Sequence, residues 1–388
     1  MGESDQPQGS PADRLRLLLG TWKSLVRQID PGATRLTRRM HALYWTSSAA
    51  QSLLQLIQNR SFADQLVTTV PPAPLFILGF WRSGTTLLHE LLCCDTRFGF
   101  PSTYACLNPA HFLLSERWIQ SRSNERVRRP MDNLRYSWAS PQEDEFALLA
   151  LGAPSAYQAL LVPSLMRSAS QLLWLRERPR NDEDLWWTRF HHFLKLLTIQ
   201  QGKAMVLKSP THGYRLQILQ QRFPESRYVL IQRNPYEVFA SNMKLWRTLV
   251  ARYGLECCSD SQLEEFILAA YVLHHAIVSE GIQRAAPGSF AVVRYEDLVA
   301  SPLDQISRVY SALGLRDFEG ARPRMDGYLA KVSGHTRNHL MLSSTQRTAV
   351  DLAWGDIIRE EGYSWSDCHV DLIDGISKQE ANAGQFSS

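Results

Sequence analysis

The chain has 388 residues, of which 44% are hydrophobic and 21% charged. That balance excludes a collagen-like chain, a low-complexity tail and a disordered charged linker, and the length suffices for one large domain or two ordinary ones. The 42 basic and 38 acidic residues leave a formal net charge of +4 with no long Lys/Arg block, so small anionic ligands are expected and nucleic acid is not.

Residues 1–12 read as a flexible leader rich in Pro, Gly, Ser and Asp. Its start, Met1-Gly2-Glu3-Ser4-Asp5-Gln6, lacks a positive n-region and an apolar run, so no signal peptide is expected, and Gln6 breaks the myristoylation pattern. Residues 13–70 read as a helical extension. Leu15, Leu18, Leu19, Trp22 and Leu25 give an amphipathic helix over 13–28, and a second helix covers 36–58. Pro71-Pro72-Ala73-Pro74 then stops helix and forces an extended entry into the main domain, residues 71–370, which a tail follows over 371–388.

Leu75-Phe76-Ile77-Leu78 is a short, wholly apolar run, the pattern of a strand buried on both faces in a parallel sheet. A turn over Gly79–Gly84 leads into a helix from Thr85, with Leu87, Leu88, Leu91 and Leu92 on one side. Residues 105–200 carry no strong strand signal and hold Trp118, Trp138, Trp174, Trp186 and Trp187. They are expected to form a helical cover over the carboxyl edge of the sheet, where ligands bind in α/β folds. Met205-Val206-Leu207, a helix opened by Pro210 and stopped by Pro224, and Tyr228–Ile231 make a strand–helix–strand unit. Phe290–Val293 is a further strand. The fold class is α/β, a P-loop-like central parallel sheet flanked by helices. No run of 18 apolar residues occurs, so no membrane span is expected. The six cysteines lack CxxC spacing and read as free thiols of a reducing, cytoplasmic setting. The histidine pairs His191-His192 and His274-His275 lack metal spacing, and no metal is expected.

The strongest chemical signal is Gly79-Phe80-Trp81-Arg82-Ser83-Gly84-Thr85-Thr86, between a buried strand and a helix. Such a turn presents backbone N–H groups and a helix N-terminus to an anion. Against GxxxxGK[ST], Gly79, Gly84 and Thr86 fit, but Thr85 stands where the lysine belongs. Without that lysine a triphosphate loses its main cationic partner. Arg82 supplies a planar fork suited to phosphate or sulfate, so a nucleotide with a short anionic 5′ group is expected. At the end of the 228–231 strand, Arg233 and then Ser241, two turns into a helix opened by Pro235, can grip a second phosphate.

Together, Arg82-Ser83-Gly84-Thr85-Thr86 and Arg233-Asn234-Pro235 with Ser241 resemble the 5′- and 3′-phosphate motifs of sulfotransferases that use 3′-phosphoadenosine 5′-phosphosulfate (PAPS). Arg294-Tyr295-Glu296-Asp297-Leu298 with Ser301-Pro302 is similar to a further family stretch, and Ser140-Pro141-Gln142-Glu143-Asp144-Glu145-Phe146 resembles the broad, largely bacterial-type branch. The resemblance covers residues 74–365. It implies sulfuryl transfer from PAPS to a hydroxyl, with an amine as the second choice, on a small acceptor that the apolar cover suggests is hydrophobic. It also implies a catalytic lysine at Lys208. Arg337 is a cofactor candidate by analogy with late loops of the family. For the general base, Glu143, Glu145 and His212 compete. Glu143 also fits a capping box with Ser140 and Pro141, and the base histidine of the cytosolic branch would fall on Pro210. The alternatives are a P-loop phosphotransferase and a noncatalytic binder of the desulfated nucleotide.

Overall fold

The computed structural model describes residues 16–32, 34–122, 127–128, 135–332 and 340–373. Its strands are β1 (Leu75–Leu78), β2 (Val127–Arg128), β3 (Arg135–Tyr136), β4 (Val206–Lys208), β5 (Arg227–Gln232), β6 (Phe290–Arg294), β7 (Leu340–Ser343) and β8 (Val370–Ile373). The central sheet has the order β4-β1-β5-β6, and every pairing in it is parallel. Apolar runs at β1 and β5 allow this, because both faces of these strands are covered. Phe76, Leu78, Tyr228 and Leu230 pack with Phe190, Phe193 and Val278 on one side. Leu75, Ile77, Val229 and Ile231 pack with Leu88 and Leu91 on the other. The architecture is α/β, a central parallel sheet with helices on both faces.

Register sets where the chemistry goes. Ile77 pairs with Lys208, and Gln232 pairs with Arg294. The turn after β1, the last residue of β4 and Arg233 just beyond β5 therefore share one carboxyl edge. Helix Thr85–Cys93 leaves that edge after β1, and helix Pro235–Tyr253 leaves it after β5. Pro235 sits in the first turn, and the Asn234 side chain accepts from the Tyr236 N–H at 3.1 Å, so this start has its own stop signal and cap.

Several elements differ from expectation. The first helix spans Leu19–Val26 and the second Arg38–Ser61. Pro210 opens a 3₁₀ segment, Pro210–Arg215, and the α-helix follows at Leu216–Arg222. The capping box of Ser140 and Glu143 does not form: the helix there is Glu145–Ala150, while Ser140 Oγ accepts from the Ser137 N–H at 3.0 Å. The Ser140–Glu143 stretch is instead drawn across Pro101, whose carbonyl accepts from the Gln142 N–H at 2.9 Å. The β7–β8 pair was not anticipated, since four-residue strands far apart in sequence leave little local signal.

Among the described residues the cover is helical at Thr103–Leu107, Phe112–Arg122, Glu145–Ala150 and Arg180–Gln201, and the short antiparallel pair β2–β3 also lies within it. Trp186 is fully buried and stacks on Phe190 at 5.0 Å, whereas Trp118 is exposed. Helix Asp260–Gln283 is, by length and composition alone, long and apolar enough to cross a membrane, although it holds no run of 18 apolar residues. Here its Leu263, Phe266, Ile267 and Ala270 side is buried in the core against helices Pro235–Tyr253 and Ser344–Glu360.

Candidate active site

The turn between β1 and helix Thr85–Cys93 closes by two bonds to the Phe80 carbonyl, from Ser83 N–H at 3.2 Å and from Ser83 Oγ at 2.8 Å. Closing it puts Arg82 at φ +69°, a left-handed conformation that non-glycine residues adopt at a cost of about 1–3 kcal/mol. Gly84 has φ +99°, and a Cβ there would lie 2.2 Å from the Tyr295 ring. The glycine thus lets an aromatic wall close on the loop. Ser83 and Thr85 are buried; Gly84 and Thr86 remain partly open at the helix start.

Arg82, Arg233 and Ser241 meet. Arg82 Nε donates to Ser241 Oγ at 2.8 Å, and Arg233 Nη1 donates to the Arg82 carbonyl at 3.0 Å. Glu237 Oε2 accepts from Arg233 Nε at 2.9 Å, and the guanidinium lies 4.3 Å from the Tyr295 ring centroid. The stretch after β6 props both motifs, because Glu296 Oε1 also accepts from the Asn234 N–H at 3.0 Å. Arg337 lies outside the described residues.

Lys208 sits beside this loop with its side chain buried, and its Nζ donates to Glu143 Oε1 at 2.6 Å. Glu143 Oε2 accepts from the Tyr157 hydroxyl, which in turn accepts from Trp81 Nε1 at 3.2 Å. Burial, reinforced by the Glu143 carboxylate, raises the Tyr157 phenol well above its ordinary value. Tyr157 therefore stays a protonated donor. A chain of hydrogen bonds thus runs from the loop after β1 through Trp81, Tyr157 and Glu143 to Lys208.

The rival bases stand elsewhere. Glu145 is fully buried and held bidentately by Arg215, with contacts of 2.5 and 2.9 Å, while Thr211 Oγ1 donates to it at 2.8 Å. Burial, the largest single influence, would raise its carboxyl; the Arg215 charge together with hydrogen bonds from Arg215, Ser155 and Thr211 outweighs it and lowers it. His212 is also fully buried. Its Nε2 lies 3.0 Å from Asp144 Oδ1, and its ring packs edge-on to Phe76 and Phe190. Both are structural pairs that tie the 140s segment to the segment after β4. Both side chains are fully buried, whereas Glu143 remains partly open.

Sequence reasoning gave no role to Tyr157 or Glu237, nor to Trp81 and Tyr295, although both of these stand inside motifs it singled out. Glu237 could have been found, since Arg and Glu four apart on a helix pair readily. Tyr157 had no signal: it meets Glu143 only because the chain folds back between helices Glu145–Ala150 and Gln158–Leu161.

Comparisons with known proteins give the family and the fold. A profile described as "Sulfotransferase family" matches residues 74–319. The omega-hydroxy-beta-dihydromenaquinone-9 sulfotransferase Stf3 of Mycobacterium bovis is 36% identical over 324 residues, which is 83% of each chain, and its Mycobacterium tuberculosis counterpart matches equally. The fold resembles the crystal structures of sulfotransferase STF9 from Mycobacterium avium (TM-score 0.68, 17% identity, 92% of this chain and 99% of that one). It also resembles STF1 from Mycobacterium tuberculosis H37Rv (TM-score 0.61, 22% identity, 89% and 93%). With a profile over most of the domain and a relative aligned along most of both chains, this chain belongs to the sulfotransferase family.

Proposed function

We propose that the protein transfers a sulfuryl group from PAPS to the hydroxyl of a small hydrophobic acceptor. The observation that carries this reading is the meeting of Arg82, Arg233 and Ser241 at a loop whose lysine position holds Thr85. Two guanidinium groups and a hydroxyl suit the two anionic ends of PAPS, and the partly open start of helix Thr85–Cys93 adds its backbone N–H groups. When bound, PAPS supplies the activated sulfuryl group and a phosphate leaving group.

This chain's residues then have separable tasks. Arg82, Ser241 and Arg233 hold the nucleotide. Lys208, at the end of β4, neutralises charge on the leaving side. Glu143 is the base for the acceptor hydroxyl, and Tyr157 and Lys208 fix its two oxygens. The reaction is an in-line displacement, so positioning and charge stabilisation do most of the work.

The acceptor class follows from the relative named for an omega-hydroxy dihydromenaquinone, together with the apolar cover. A terminal hydroxyl on a lipid-like molecule is the proposed substrate. The six free cysteines support a reducing, cytoplasmic setting. The test is label transfer from PAPS to an omega-hydroxylated quinone and to a panel of alcohols and amines, with Mg-ATP as the rival donor. Labelled sulfate ester is expected. Transfer from ATP alone would establish the phosphotransferase, and nucleotide binding without turnover on any acceptor would establish the noncatalytic binder.

A further inference from the structure

Helix Arg38–Ser61 is arranged inside out. Its buried residues are Ser48, Gln51 and Gln58. Its outward side carries Trp45, Leu53, Leu56 and Ile57, with Leu53 60% and Leu56 67% exposed. A helix that merely covers a soluble core shows the opposite order. The orientation is fixed by directed bonds. Gln58 Nε2 donates to the Pro109 carbonyl at 3.0 Å, and Gln58 Oε1 accepts from the Leu113 N–H at 3.0 Å. Ser52 Oγ accepts from the Leu19 N–H at 2.9 Å, and Trp22 stacks on Tyr44 at 4.6 Å. The helix cannot roll its leucines inward without breaking these.

Helix Phe112–Arg122 begins where Gln58 binds, and it presents Leu114, Arg117 and Trp118 outward. Two neighbouring elements thus expose tryptophan, leucine and arginine together. Charge selects the occupant. Residues 31–63 contain Arg35, Arg38, Arg39 and Arg60 and no Asp or Glu; Asp64 is the next carboxylate. Helix Arg38–Ser61 has arginines at both ends. A second copy laid along it, in either direction, would set arginine near arginine with no carboxylate of the helix to answer it. An anionic lipid surface answers both features, taking the apolar side chains into the acyl boundary and the arginines among the headgroups.

We infer that helix Arg38–Ser61, with the start of helix Phe112–Arg122, docks the protein on an anionic bilayer surface. The inference stands apart from the proposed donor and acceptor, because its test needs no turnover. It also gives the hydrophobic acceptor a route, since helix Phe112–Arg122 belongs to the cover.

The test is co-sedimentation of the full chain with phosphatidylcholine vesicles, with and without phosphatidylglycerol. Binding is expected to require phosphatidylglycerol and to weaken with added salt. Leu53→Ser/Leu56→Ser should lower the partition coefficient at least about tenfold, and Arg38→Glu/Arg39→Glu by a similar factor. All four positions are exposed, so unchanged circular dichroism and Tm will show that the variants are folded. Absence of binding to anionic vesicles overturns the inference, as does binding that neither double variant reduces. A concentration-dependent dimer that Leu53→Ser/Leu56→Ser abolishes, without vesicle binding, assigns the face to a second copy instead.

Discussion

At the scale of single residues, the informative group is Glu143. Its two oxygens are divided between Lys208 and Tyr157, so a change at any of the three reaches the others. Tyr157→Phe is expected to lower kcat by about 10–100-fold with little change in donor affinity, and to shift the acidic limb of the kcat–pH profile, as measured by initial rates across pH. A Tyr157 that only packs would leave that limb in place. Glu145 should behave differently. Glu145→Gln removes the partner of buried Arg215 and is expected to cost about 3–5 kcal/mol in a denaturant melt, while the folded fraction keeps its pH profile. Which carboxylates in the 143–145 run are free to act could not be read from sequence. Neighbours along the chain point to different partners, and those partners come from the segment after β4 and from Tyr157.

At the scale of elements, the loop and its helix were legible because glycine, arginine and the apolar strand sit within a dozen consecutive residues. The strands β1, β5 and β6 were equally plain as apolar runs; β1 and β5 are buried on both faces, whereas β6, at the sheet edge, leaves Val292 exposed. The capping box at Ser140 was misread because the local pattern was satisfied while a tertiary bond to Pro101 held the segment extended. The wall of the loop was invisible for the same reason. Gly84→Ala tests it: with φ +99° and the Tyr295 ring in the way, the substitution should destabilise by about 1–3 kcal/mol and weaken nucleotide binding, measured by thermal shift and calorimetry. Tyr295→Ala in the same background should restore part of the stability and none of the affinity.

At the scale of the whole molecule, titration is shaped by a cavity of about 450 Å³ between β5, helix Asp260–Gln283 and the end of helix Ser344–Glu360. Burial there pushes the Glu361 carboxyl up to about 7 and the His274 imidazole down to about 3. Gln232, Tyr271, His275, Arg294 and Glu360 line the same space. From about 4.5 to 7 the folded chain binds more protons at Glu361 than the unfolded chain, so that group makes stability fall as pH rises. His274 acts with the opposite sign from about 3 to 6.5, where acid favours the unfolded chain. Glu361→Gln should therefore remove the falling contribution and leave Tm rising with pH across that window, by calorimetry in matched buffers. An unaltered slope would place the perturbed group elsewhere. The closure of Tyr295 over Gly84 bears on synthesis as well. The loop and its helix leave the ribosome long before the residues that wall them in, and domains gain long-range contacts last. A growing chain thus carries the sequence of the Gly79–Thr86 loop before it has the wall, which can close only once Tyr295 has been made.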